Sequence, residues 1–69
     1  MTGEELENRF TYHAPKGTQP ERYEDIRGEA LHLALVIEGH APDSREKSLA
    51  LTHLEQAVMW ANAAIARHE

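Results

Sequence analysis

Between residues 10 and 27 the chain reads FTYHAPKGTQPERYEDIR, which holds its only phenylalanine, both tyrosines and the cations Lys16, Arg22 and Arg27. Phe10 and Tyr12 are alternate residues, so in an extended segment their rings project to one side. His13, Pro15 and Lys16 follow, and Arg22 and Arg27 stand just beyond, where helical periodicity begins. Aromatic faces stack on nucleobases for roughly 1–3 kcal/mol per base. Lysine offers phosphate a point charge, and arginine a planar, bidentate fork. A helix start adds free N–H groups and a partial positive charge. Rings, cations and a helix start together suit a small nucleotide. The same rings could equally be staples that pack the segment onto the rest of the chain, and residue types alone leave both readings open.

The other candidate constellations are thinner. Glu21 and Glu24 share a helix face, as carboxylates that hold magnesium in all-α nucleotide pyrophosphohydrolases do. Such sites need a second acidic cluster on a facing helix, and the last helix offers Glu46 and Glu55. Glu29-x-x-His32 has the spacing of a four-helix di-iron motif, which must occur twice. The histidines at 13, 32, 40, 53 and 68 contain no i,i+4 pair. No HExxH, glycine-rich phosphate loop or serine–histidine signature is present. We therefore expect no catalytic residue, metal or cofactor.

Composition narrows the partners. Twelve acids against seven bases give a net charge of −5, which disfavours a protein that coats nucleic-acid polymers by neutralising many phosphates. A few cations gathered in one place can still bind a small anion. With 69 residues and no cysteine, a lone copy buries only about 60 % of its unfolded surface and lacks disulfide support. Self-association is the expected remedy. No apolar run approaches the roughly 20 residues of a membrane span, and MTGEELENRF does not look like a signal peptide. A soluble intracellular protein is expected.

The elements that must position these residues are helical. We expect one all-α domain over 1–69: an N-terminal helix and extended arm (1–17), then helices over 18–39 and 43–67. Thr2 can cap the first helix, with Glu4 and Glu5 in its first turn. Thr18, Pro20 and Glu21 resemble a capped helix entrance. Tyr23, Ile26, Ala30, Leu33 and Ile37 then recur at spacings of 3, 4, 3 and 4, widened by Leu31 and Leu35, up to Gly39. Asp43 or Ser44 caps the last helix, whose stripe is Ala50/Leu51, Leu54, Val58, Ala61 and Ile65. The short loop makes the two long helices antiparallel neighbours. Leu49, Trp60 and Ala63 lie on another side of the last helix, a surplus apolar face that suits either the arm or a second subunit.

The string FTYHAPK…Q…Y..IR, followed by PDSREKSLALTHLEQAVMWANAAIAR, resembles a family of small phage proteins that share the hairpin domain of anti-CBASS and anti-Thoeris sponges. The resemblance spans residues 8–67, and FTYHAPK and MWANAAIAR are its most specific parts. It implies helical hairpins assembled into homo-oligomers, commonly hexamers, with ligand pockets at subunit interfaces. It implies binding of cyclic oligonucleotide immune signals, cyclic dinucleotides first, without cleavage. The expected setting is the cytoplasm of an infected bacterial host, with no membrane or nucleic-acid polymer as partner.

In relatives an aromatic residue on the N-terminal segment stacks on a base, and a cation early in the next helix meets phosphate. The matching positions are Tyr12 and Arg27. Phe10, His13, Pro15, Lys16, Gln19 and Tyr23 join them as candidates by adjacency in the motif. Some relatives hold cyclic trinucleotides through an arginine in the last helix. That region here reads Asn62-Ala63, with no arginine until Arg67, so a trinucleotide site stays open and Asn62 is a candidate hydrogen-bond partner of a base or phosphate. Tyr12 and Arg27 are separated by the arm and the helix start, so we expect different protomers to present them to one ligand. The alternatives are a structural or adaptor oligomer without a small-molecule ligand, and a magnesium-dependent nucleotide hydrolase using Glu21 and Glu24.

Overall fold

The computed structural model describes residues 1–69 and contains three helices and no strand. Helix α1 spans Gly3–Phe10. Thr2 caps it by accepting from the Glu5 N–H at 3.1 Å, and Glu4 and Glu5 lie in its positive first turn. It ends where Thr11 becomes extended (φ −98, ψ 142). Residues 11–18 have no regular structure, and Gly17 turns the chain with a left-handed φ of 57 that a side chain would resist.

Helix α2 spans Gln19–His40 and α3 spans Arg45–His68. Two helix-end expectations need correction, and a third choice is decided. Thr18 does not cap α2 with its side chain: at φ −87, ψ 5 it lies outside the extended region that points an N-cap oxygen at the helix, so the box with Glu21 does not form. Gly39 does not end α2. The helix continues to His40 and stops at Ala41, whose N–H donates to the Ile37 carbonyl at 2.9 Å. Pro42 follows, and the residue before a proline is driven out of helical space. Ser44, not Asp43, caps α3, accepting from the Lys47 N–H at 3.1 Å.

Helices α2 and α3 form the one extensive helix pair. The shielded positions include Tyr23, Ile26, Ala30, Ala34 and Ile37 along α2, and Leu51, Leu54, Val58, Ala61 and Ile65 along α3. Ala34 thus takes the place expected of Leu33, which stays 47 % exposed. Small residues at the seam permit close approach, while Leu31, Leu33 and Leu35 of α2 are left outside it.

The molecule measures 45 × 29 × 12 Å. Two stacked helix layers need about 8–10 Å between axes plus a Cα radius of about 2.3 Å on either side, more than the thin dimension provides. This is a single layer, and a core ordinarily requires two. Accordingly no apolar side chain is buried, and eleven large hydrophobics are exposed, among them Leu31, Leu35, Leu49, Met59 and Trp60.

The two buried residues are polar, Gln19 and Lys47, and each pins one end of the hairpin. Gln19 Oε1 accepts from the Lys16 N–H at 3.2 Å, and Nε2 donates to the Ile65 carbonyl at 3.4 Å. At the loop end, Lys47 Nζ donates to the Glu38 carbonyl (3.0 Å) and Asp43 Oδ1 (3.0 Å), and pairs with Glu38 Oε1 (3.1 Å). All the ammonium hydrogens thereby gain partners, and one carbonyl left unpaired at the end of α2 is satisfied. The bond to Asp43, then that to Glu38, outweighs desolvation and raises the Lys47 pKa.

A cleft of tyrosines and unpaired arginines

At the end of the hairpin away from the loop, the start of α2 lies beside the last turns of α3. Segment 11–16 folds back along this end after α1, and a shallow open cleft of about 390 Å³ forms between them. Tyr12 and His13 enter from the segment, Tyr23 and Arg27 from successive turns of α2, and Asn62, Ala63, Ala66 and Arg67 from α3. Arg9, on the last turn of α1, completes the wall beside Thr11.

His13 is fixed by a 2.7 Å hydrogen bond between Nε2 and the Asn8 carbonyl. A carbonyl only accepts, so Nε2 carries the proton and donates. This bond ties segment 11–16 to the end of α1. Tyr12 is 83 % exposed, so its ring face is open to a planar ligand. Asn62 contributes small polar bulk to the wall, and its Oδ1 is buried without a donor.

The electrostatics of the cleft differ from those of the chain. Every ion pair in the molecule involves Arg22 or Lys47. Of the five cations left without an acidic partner, Arg9, Arg27 and Arg67 line this cleft, and no carboxylate does. Three like charges converging on a chain of net charge −5 make a local basin for a small anion.

Next to the cleft, Arg22 grips Glu69 through both terminal guanidinium nitrogens, Nη1 donating to Oε2 at 2.8 Å. This bond raises the Arg22 pKa, and it lowers that of Glu69, helped by the charges of Arg22 and Lys16. Arg22 Nε remains buried without an acceptor. Arg22 is thus engaged in closing the hairpin, while Arg27, one turn farther on, is unpaired.

Of the candidate binding residues, the structure gathers Tyr12, His13, Tyr23, Arg27 and Asn62 in the cleft, and leaves Phe10, Pro15, Lys16 and Gln19 outside its lining. Phe10 projects into solvent. Gln19, 3 % exposed, has its amide engaged within the fold. One chain brings both Tyr12 and Arg27 to the wall of the same cleft. The physical reason is the reversal at Gly17, which returns the segment alongside α2.

Arg9 and Arg67 were not among the candidates. Arg67 had a readable signal, since an antiparallel hairpin returns the last turn of α3 to the first turns of α2. Arg9 had none, because the path of residues 11–16 decides where α1 lies. Glu21 and Glu24 belong to no group of three or more histidine, aspartate or glutamate side chains placed to hold a metal ion. No helix is long and apolar enough to cross a membrane.

Fold and cleft together define an all-helical hairpin with an aromatic and cationic face. The chain matches the family model Acb2/Tad1, hairpin domain, over residues 2–66, and it belongs to that family, the anti-CBASS and anti-Thoeris sponge family. No curated protein and no solved structure matches it significantly.

Proposed function

We propose that this chain binds and sequesters a cyclic oligonucleotide immune second messenger, a cyclic dinucleotide first, in the cytoplasm of an infected bacterial host, and leaves it uncleaved. The observation that carries this reading is the cleft, where two tyrosines and three unpaired arginines meet without a carboxylate. Tyrosine faces suit bases, guanidinium forks suit phosphodiesters, and the acidic remainder of the chain repels nucleic-acid polymers. Membership of the Acb2/Tad1 hairpin family supports the anti-defence role. Tyr12 is assigned the stacking contact and Arg27 the phosphate contact, with Tyr23, His13 and Asn62 beside them. Sequestration needs no general base and no metal.

The active form is a homo-oligomer, and a hexamer is the assembly we favour. A one-layer hairpin with no buried apolar side chain needs cover for its faces. The open cleft supports the same view: small-molecule sites commonly bury about 70–90 % of their ligand, which asks for a further wall.

Calorimetric titration with a panel of cyclic di- and trinucleotides tests the reading. Micromolar or tighter binding, with intact ligand recovered after the complex is denatured, is the expected result. Absence of binding across the panel would defeat it, and recovery of linear products would replace a sponge with a phosphodiesterase.

A further inference from the structure

We propose that Arg9, on α1, is an anion-contacting residue of the cleft, and that the bound ligand is a main tie between α1 and the hairpin. This inference rests on the cyclic-oligonucleotide reading and extends it to a residue outside the expected motif.

Arg9 has an obvious partner within its own helix. Glu5 precedes it by four residues, the favourable orientation for an intrahelical ion pair. That pair does not form: Arg9 has no carboxylate within ion-pair distance, and its one hydrogen bond goes to Met1 Sδ at 3.2 Å. A thioether is a weak acceptor. The guanidinium instead stands in the cleft wall with Arg27 and Arg67. Mutual repulsion disfavours that grouping unless an anion is shared among the three.

The attachment of α1 points the same way. No residue of α1 is buried, and extensive helix packing is confined to α2 and α3. The hydrogen bond of His13 to the Asn8 carbonyl anchors the end of the helix, leaving its earlier turns little held. A phosphate shared by Arg9 and Arg27 bridges α1 to α2 directly.

The test compares wild type with Arg9→Gln, Arg9→Lys and Arg45→Gln in titrations with cyclic di-GMP, cyclic di-AMP and cyclic GMP–AMP at low and high salt. Arg45 is another unpaired cation, placed at the start of α3 and outside the cleft, so its variant removes the same charge elsewhere. Arg9→Gln should weaken binding about tenfold or more at low salt, with the deficit shrinking as salt screens the contact. Arg9→Lys should fall between, Arg45→Gln should match wild type, and ligand should slow hydrogen exchange in residues 3–10 of wild type and Arg45→Gln but not of Arg9→Gln.

An Arg9→Gln curve matching wild type or Arg45→Gln overturns the inference and leaves the sponge reading intact. So does a deficit equal at both salts and equal in Arg9→Lys, which marks a structural role. Failure of wild type to bind any of the three ligands removes the cyclic-dinucleotide reading and the role of Arg9 together.

Discussion

Gln19 Nε2 donates to the Ile65 carbonyl across 3.4 Å, and this contact registers the start of α2 against the end of α3. The same side chain holds the Lys16 N–H, so one buried amide joins the incoming segment to both helices. Cleft geometry depends on that register, since Tyr23 and Arg27 must stand opposite Asn62 and Arg67.

Removing the amide leaves polar backbone groups unmet in a shielded place. Gln19→Ala should destabilise the fold by about 1–2 kcal/mol, toward the lower end because the bond to Ile65 is long. Chemical denaturation followed by circular dichroism measures this, and a midpoint unchanged from wild type would show that the contact does not hold the hairpin.

Tyr12 and Arg27 supply different chemistry to one ligand. Tyr12→Ala and Arg27→Ala should each weaken cyclic dinucleotide binding by about 1–3 kcal/mol with helicity retained. One chain lines the cleft with both side chains; if that chain alone presents them to the ligand, Tyr12→Ala subunits co-assembled with Arg27→Ala subunits should not regain wild-type sites. Recovery of high-affinity binding by the mixture would show that the two residues reach the ligand from different protomers.

Much of the hairpin was legible in the sequence because periodicity and capping are local signals. Thr2, the apolar repeat from Tyr23 to Ile37 and the break near Pro42 each carry their own physics. Leu33 misled because hydrophobicity marks a residue for burial without saying by what: the seam selected Ala34, and Leu33 faces outward. Gln19 entered as a candidate by adjacency in the motif, and what adjacency does not carry is burial: its amide is engaged within the fold. In the cleft, Tyr12 and Arg27 stood out by type. Their meeting in one chain depended on the left-handed turn at Gly17, and the position of Arg9 depended on the same path.

The Arg22–Glu69 pair makes stability pH-dependent at the cleft end. Glu69 has a lowered pKa when folded, chiefly through its hydrogen bond from Arg22. The unfolded chain therefore binds the proton more readily, and the stabilisation is present above the ordinary value of 4.5 and lost as pH falls through the folded value. Thermal melts from neutral pH down to acid should show a loss that Glu69→Gln reduces. Identical acid profiles for the two proteins would remove this role. At the loop end the sign reverses: Lys47 is raised, so its stabilisation is full below 10.5 and declines as pH rises through the folded value.

The exposed apolar faces predict an assembly. Trp60 is 65 % exposed on α3, with Leu49 on the same helix, and Leu31 and Leu35 are exposed on α2. In a lone hairpin these side chains would present more apolar surface to water than a stable small monomer ordinarily does. Light scattering at micromolar concentration should therefore give a mass well above 7.8 kDa. Trp60→Glu and Leu35→Glu should each shift the population toward smaller species, because a charge in an apolar contact loses its water without gaining a partner. The two helices provide separate tests. If only the α3 variant dissociates the particle, the interface is built from that face and α2 is covered by something else. If both leave the mass unchanged, these faces are not where the subunits meet. A wild-type mass equal to one chain would overturn the oligomer outright, and the cleft would then have to hold its ligand with one open side.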